Sequence, residues 1–568
     1  MPNDAFAMNG PESERRALLL LLLFGLIIFG AGIGLRDPWP ADEPRFALVA
    51  RQMVDSGHWL FPMRGGELYP DKPPMFMWAI ACFYKLTGSL RVAFLLPSAL
   101  ASLGTLALVF DLGRRLWDRA TAWRAGLLML LVVQFTLQAR TAQIDALVTF
   151  FITLGVYALL RFLTEGGWDW FALGWFAAGL GIITKGVGIL ALFVLIPALW
   201  THRQELKAAG GKAWAKGLVG PLCLLLAMAL WVVPMLLVVK ASGNPDFLAY
   251  RNNILFRQTV TRYGASWHHV APWYDYIVSV IPGFWLPVSL LLPWLVALPW
   301  FKAVREGDRR ITLLLGYLVL VLIFFSCSAG KRGVYILPAV PALVLATAPY
   351  LPELLERPWP RRLWWGLAGL LTLLAVALPV IFFAKPELTG KLVEAGAQAP
   401  TLAASLLALA CLAAMITFRR SILAALGTIL AALWLFVGFG ISPAINEART
   451  PASTMRRMEA LTPPGSQVVL VAYKEQFLLF TGRPLNHLPY LMPFPQQALL
   501  AAHWQAEGAD RWVMGPQRHL SGQFDLSQAQ PLGKRHGENW LLLPPGSARP
   551  KGTVPEGPIH RFIPYAQN

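Results

Sequence analysis

Asp42 and Glu43 stand together in ADEPRFALVARQ (residues 41–52), and Asp71 and Lys72 follow in GELYPDKPP (residues 66–74). Later, Arg140 and Asp145 share RTAQIDAL, Lys185 lies in ITKG, His268 and His269 lie in SWHHV, and Lys331, Arg332 and Tyr335 share SAGKRGVYILP. Carboxylates of this kind act as general bases or orient polar substrates, while clustered ammonium and guanidinium groups bind anions. Asp71 or Glu43 with His268 or His269 would offer oxygen and nitrogen ligands to a divalent metal, but spacing alone does not bring their two loops together. The plainer reading of each charge is an interfacial side chain reaching for water, and of Trp267, Trp273, Tyr274 and Tyr276 an aromatic belt.

The elements that must position these residues are membrane helices. Of 568 residues, 56% are hydrophobic and 14% charged, with a mean hydropathy of +0.52, which excludes a soluble protein of this size. Continuous apolar runs long enough to cross a roughly 30 Å hydrocarbon core predict about thirteen helices between residues 17 and 442, not a barrel. The first run, behind a basic flank, reads as a retained signal anchor. Cys82, Cys223, Cys327 and Cys411 read as packing residues. The net charge of +18 has no basic block with interleaved aromatics, so nucleic acid is not an expected partner.

Loop charge gives the expected topology. Arg114, Arg115 and Arg119, then Lys207, Lys212 and Lys216, then Arg309 and Arg310, then Arg361 and Arg362, then Arg419 and Arg420 fall on alternate loops, as positive-inside orientation requires. Residues 75–88 are apolar but short and carry Lys85, so they are expected to lie at the outer interface rather than to cross. Residues 36–74, 241–275 and the turn around Lys331 then share the outer face with Arg140, Asp145 and Lys185. Cations at that density call for something anionic at the outer membrane surface. The chain divides into a membrane domain, 1–442, and an outer tail, 443–568, where SQVVLVAY and NWLLLP read as strands of a small α/β domain.

DEPRFA, GHWLFPMRGGELYPDKPP, RTAQIDAL, ITKG and GKRGVYILPAVPAL resemble, in order and spacing, the bacterial protein O-mannosyltransferase-like glycosyltransferases, and among these the aminoarabinose transferases that modify lipid A. The resemblance covers roughly residues 17–350. It implies a GT-C fold with outer juxtamembrane helices and a periplasmic C-terminal domain, in a multi-pass protein of the bacterial inner membrane. It also implies inverting transfer of a sugar from undecaprenyl phosphate to lipid A or another lipopolysaccharide acceptor. The family's catalytic acid maps onto Asp42, the acid opening a later span onto Asp145, the KPP pair onto Asp71 and Lys72, and the Lys and Tyr before ILP onto Lys331 and Tyr335. Asp71 departs from the Glu usual in the aminoarabinose transferases.

On that basis Lys72, Lys331 and Tyr335, helped by Arg332 or Lys185, are expected at the donor phosphate, where fixed cations stabilise charge growing on the leaving group. Asp42 first and Asp145 second would serve as base toward a hydroxyl acceptor. Toward a phosphate acceptor, already ionised, Asp42 would orient the sugar. Glu43 is an accessory site residue, and a divalent metal remains an open cofactor. A different polyprenyl-phosphate sugar, delivered to a lipopolysaccharide core or a protein, is the alternative enzyme, and a lipid transporter the non-enzyme reading.

Overall fold

The computed structural model describes residues 11–208, 210–256, 270–535 and 537–564. Helices occupy each expected span, but they are not all long. Among the described residues, eight helices have the length and hydropathy to cross a membrane, or nine if Arg119–Leu131 and Val133–Ala139, bent by 71°, form one span. Two of the expected spans are shorter apolar helices, Val187–Thr201 and Thr401–Thr417. Another is interrupted over Tyr276–Leu291, where Pro282 and Pro287 remove backbone donors.

The opening helix, α1 (Pro11–Gly30), runs to a close crossing. Gly32, at φ 87°, touches Gly438 so tightly that a Cβ on it would lie 2.8 Å from the Gly438 backbone. Glycine at both positions lets the chain leaving α1 pass the last span closely and continue into residues 36–43.

Two short helices follow. α2 (Glu43–Ser56) starts with Pro44 in its first turn and ends at Gly57, whose left-handed φ of 73° lets its N–H reach the Met53 carbonyl. α3 (Met75–Thr87) starts after Pro74 and ends the same way at Gly88. Phe46, Val49, Ala50 and Met53 of α2 recur at helical spacing and pack on Phe76, Met77 and Ile80 of α3, with the Phe46 and Phe76 rings edge to face at 5.3 Å. Met75–Thr87 is thus a 13-residue apolar helix packed on α2. A two-stranded hairpin, β1 (Met63–Arg64) and β2 (Glu67–Leu68), connects the two helices.

The C-terminal part carries a six-stranded mixed sheet in the order β6-β7-β5-β3-β4-β8. Its strands are β3 (Gln467–Leu470), β4 (Leu485–His487), β5 (Arg511–Pro516), β6 (Gln530–Arg535), β7 (Glu538–Leu543) and β8 (His560–Phe562). β3 pairs in parallel with β4 and β5, and the remaining ladders are antiparallel. Val468 and Leu470 enter one core and Val469 and Val471 the other, the period of two that a strand buried on both faces requires. Leu48 of α2 belongs to the first of these cores, so the same short helix packs on α3 with one side and on the sheet domain with another.

Candidate active site

Asp42 precedes α2 as its N-cap residue, yet its side chain makes no cap hydrogen bond. Its Oδ2 accepts from Arg332 Nη2 at 3.0 Å, and its Oδ1 lies 3.8 Å from Arg45 Nη1. The carboxylate thus faces two guanidinium groups at the start of α2, with one oxygen loosely engaged.

Asp145 sits in the first turn of Ile144–Glu165 and Lys185 in the last turn of Trp168–Lys185. These helices are sequential and packed together, so the start of one meets the end of the other, and Lys185 Nζ makes an ion pair with Asp145 Oδ1. The same ammonium lies 4.5 Å from the centre of the Tyr335 ring. Burial opposes the Arg332 charge, but Asp42 foremost and Asp145 behind it hold its pKa above the ordinary value. Arg332 thus stands in the field of both acids, and Asp42, Asp145, Lys185, Arg332 and Tyr335 form one polar cluster.

Two neighbours in sequence do something else. Lys331 Nζ donates to the Ser328 carbonyl at 2.6 Å and the Ala271 carbonyl at 2.9 Å, and the residue is buried. Its ammonium ties the Gly330 turn to the strand-like bridge at Val270, so the structure does not turn it toward a ligand, and Arg332 faces the acids instead. Glu43, expected as an accessory or metal-binding residue, is buried and filled. Its oxygens accept from Arg36 Nη1, from Arg36 Nη2 at 2.7 Å, from the Trp39 N–H at 2.8 Å and from the Ala142 N–H at 3.0 Å. Four donors saturate a carboxylate, so Glu43 is a structural knot joining the first loop to RTAQIDAL and does not fit as a metal ligand.

Asp71 and Lys72 occupy the half-buried turn before α3. Asp71 lies close enough to Tyr69 to oppose its ionisation, although burial is the main cause that pushes this phenol up. Met75, three residues beyond Lys72, joins the same apolar cluster as Leu180 and Ile183, near the helix end that carries Lys185. His268 and His269 lie outside the described residues. Among the described residues no three His, Cys, Asp or Glu side chains gather as a metal site would require.

The structure adds residues that sequence reasoning passed over. Arg45 Nε donates to Glu475 Oε1 at 2.8 Å, Arg64 approaches the same oxygen at 3.7 Å, and Glu475, from the sheet domain, is buried. Arg36, which completes the Glu43 knot, stands seven residues before it at the end of the first apolar run; that position was its only sequence signal. Glu475 had none, because its partners lie more than 400 positions away.

Residues 71–236 match the family model described as dolichyl-phosphate-mannose-protein mannosyltransferase. The chain is 31% identical over 374 residues to undecaprenyl phosphate-alpha-4-amino-4-deoxy-L-arabinose arabinosyl transferase 1 of Pseudomonas fluorescens, covering 63% of this chain and 64% of that protein. It is 30% identical over 382 residues to the corresponding transferase of Aeromonas hydrophila, covering 63% and 65%. The match thus spans somewhat less than two thirds of the length of these relatives. The crystal structure of ArnT from Cupriavidus metallidurans bound to undecaprenyl phosphate superimposes with a TM-score of 0.71 at 19% identity, over 92% of this chain and 97% of that one. The fold is therefore that of a polytopic GT-C protein with a small C-terminal sheet domain, and the resemblance to mannosyltransferase-like and aminoarabinose transferases is borne out.

Proposed function

We propose that this protein is an inverting glycosyltransferase that moves 4-amino-4-deoxy-L-arabinose from undecaprenyl phosphate to a lipid A phosphate. The observation that carries the reading is the cluster itself: two carboxylates, Asp42 and Asp145, interleaved with Arg332 and Lys185. A sugar leaving one phosphate for another needs cations at the departing group and an acid that fixes the ring, and needs no strong base because the acceptor is already ionised. Arg332, Lys185 and Lys72 take the donor phosphate, Asp42 engages the sugar, and Asp145 holds Lys185 in place. Lys331 contributes by fixing the turn that presents Arg332. The relatives' names supply the sugar and its carrier, and the resemblance and the outward cation surplus support a lipid A acceptor and an inner-membrane protein working on the periplasmic face.

The experiment is transfer by purified protein from undecaprenyl-phosphate aminoarabinose to lipid A. Product is expected with this pair and not when undecaprenyl-phosphate hexose replaces the donor. Efficient hexose transfer to a peptide instead would move the assignment to the protein-directed branch that the family model describes.

A further inference from the structure

A cavity of about 260 Å³ reaches Asp42 through a lining separate from the Arg332 cluster. Arg36, Arg140, Arg449, Trp39 and Trp434 line it together with Asp42, whereas Arg332 and Lys185 do not. Arg36 is neutralised by Glu43, so its charge is not available to a ligand. Arg140 is different. It is buried, its Nη1 donates to the Ile28 carbonyl, its guanidinium lies 5.6 Å from the Trp434 ring centre, and among the described residues it has no carboxylate partner. A guanidinium carries five N–H donors, and a buried one costs desolvation that one carbonyl and an aromatic face only partly offset. Arg449 stands exposed at the rim, 5.6 Å from the Trp39 ring centre and donating to the Pro40 carbonyl at 3.3 Å.

Asp42 therefore borders two basic sites, and a sugar passed between two phosphates needs two anion seats on either side of it. We infer that the Arg140 cavity seats the acceptor phosphate, a phosphate monoester on a lipid headgroup, with Arg449 guiding it in at the rim. This rests on the transferase reading. In the step, a lone pair on an acceptor phosphate oxygen forms the new bond to the anomeric carbon as the bond to the donor phosphate breaks. The departing electron pair stays on the polyprenyl phosphate. The acceptor dianion becomes a diester monoanion while the donor diester becomes a monoester dianion, so charge balances and no proton must move.

Equilibrium binding separates this from the function beneath it. In detergent, without donor, wild-type protein is expected to bind lipid A better than its dephosphorylated counterpart by about tenfold or more, the scale of one charge-assisted contact. Arg140→Gln should abolish that preference, Arg140→Lys should restore part of it, and Arg449→Gln at the exposed rim should reduce it roughly threefold. Undecaprenyl phosphate should bind all four proteins alike. Retained preference in both Arg140→Gln and Arg449→Gln, or loss of undecaprenyl phosphate binding in their place, would overturn the inference even if the wild type transfers sugar. Preference lost through Arg140 in a protein that transfers nothing would uphold the seat and defeat the reading of function.

Discussion

The helix Ile144–Glu165 has a carboxylate near each end, and the two ends differ. Around Glu165, charges close on one another: Glu165 takes Arg115 at 2.9 Å and Arg161 at 2.5 Å, and Asp111 takes Arg114 at 2.6 Å, Arg115 at 2.5 Å and the Tyr157 hydroxyl at 2.6 Å. Around Asp145, Lys185 pairs with Asp145 and Arg332 with Asp42, while the buried Arg140 guanidinium has no carboxylate partner among the described residues. Partly exposed pairs at the first end add solubility and topology, each contributing roughly 0–1 kcal/mol. The second end holds the Lys185–Asp145 pair and Arg140 largely buried, where charge is worth most to a ligand or a transition state.

The sharpest way to break this contrast is Asp42→Asn, which should lower sugar transfer at least about 100-fold in a steady-state assay while leaving membrane insertion intact. Its neighbour predicts the reverse pattern. Glu43→Ala strands Arg36 in a buried site and should cost about 3–5 kcal/mol of stability in an unfolding titration, and a loss under 1 kcal/mol would mean the knot is not structural.

A third test lies where the sheet domain meets β1 and β2. His487 Nε2 meets the Gly65 carbonyl at 2.5 Å and its ring stacks on Tyr473, and burial pushes its pKa down to about 4. Between that value and the unfolded value of about 6.5, only the unfolded chain takes up the proton, so stability should fall by up to about 3 kcal/mol as pH drops through this window. Unfolding followed at pH 7 and pH 4.5 checks the slope, which His487→Gln should flatten. Next in size, Arg332→Met should slow transfer by about 100-fold, whereas Lys331→Met should mainly lower the unfolding midpoint; equal kinetic losses would return Lys331 to the phosphate. The smallest effect belongs to the Glu165 end, where Asp111→Asn should change transfer less than about twofold and stability by roughly 1 kcal/mol.

Much of this was legible in the sequence, for physical reasons that also mark where legibility stopped. Long apolar runs announce helices because lipid satisfies no backbone group, and DEPRFA and DKPP stood out as charge beside such runs. Asp42, Asp145, Lys185 and Arg332 meet as a cluster of the expected residues. Lys331 and Arg332 could not be told apart, since adjacent residues at the start of an irregular helical turn point in different directions. Glu43 could not be distinguished from Asp42 because its donors include the Ala142 backbone N–H, which no side-chain motif encodes. The Arg45–Glu475 link joins elements 430 positions apart, a separation only the folded chain reveals.

The central claim is tested most directly by mass spectrometry of lipid A from cells lacking the protein, supplied with either the wild type or Asp42→Asn. Aminoarabinose on the lipid A phosphates is expected with the wild type and absent with Asp42→Asn at equal protein level. Lipid A left unmodified by the wild type, or modified equally by both, would contradict the account.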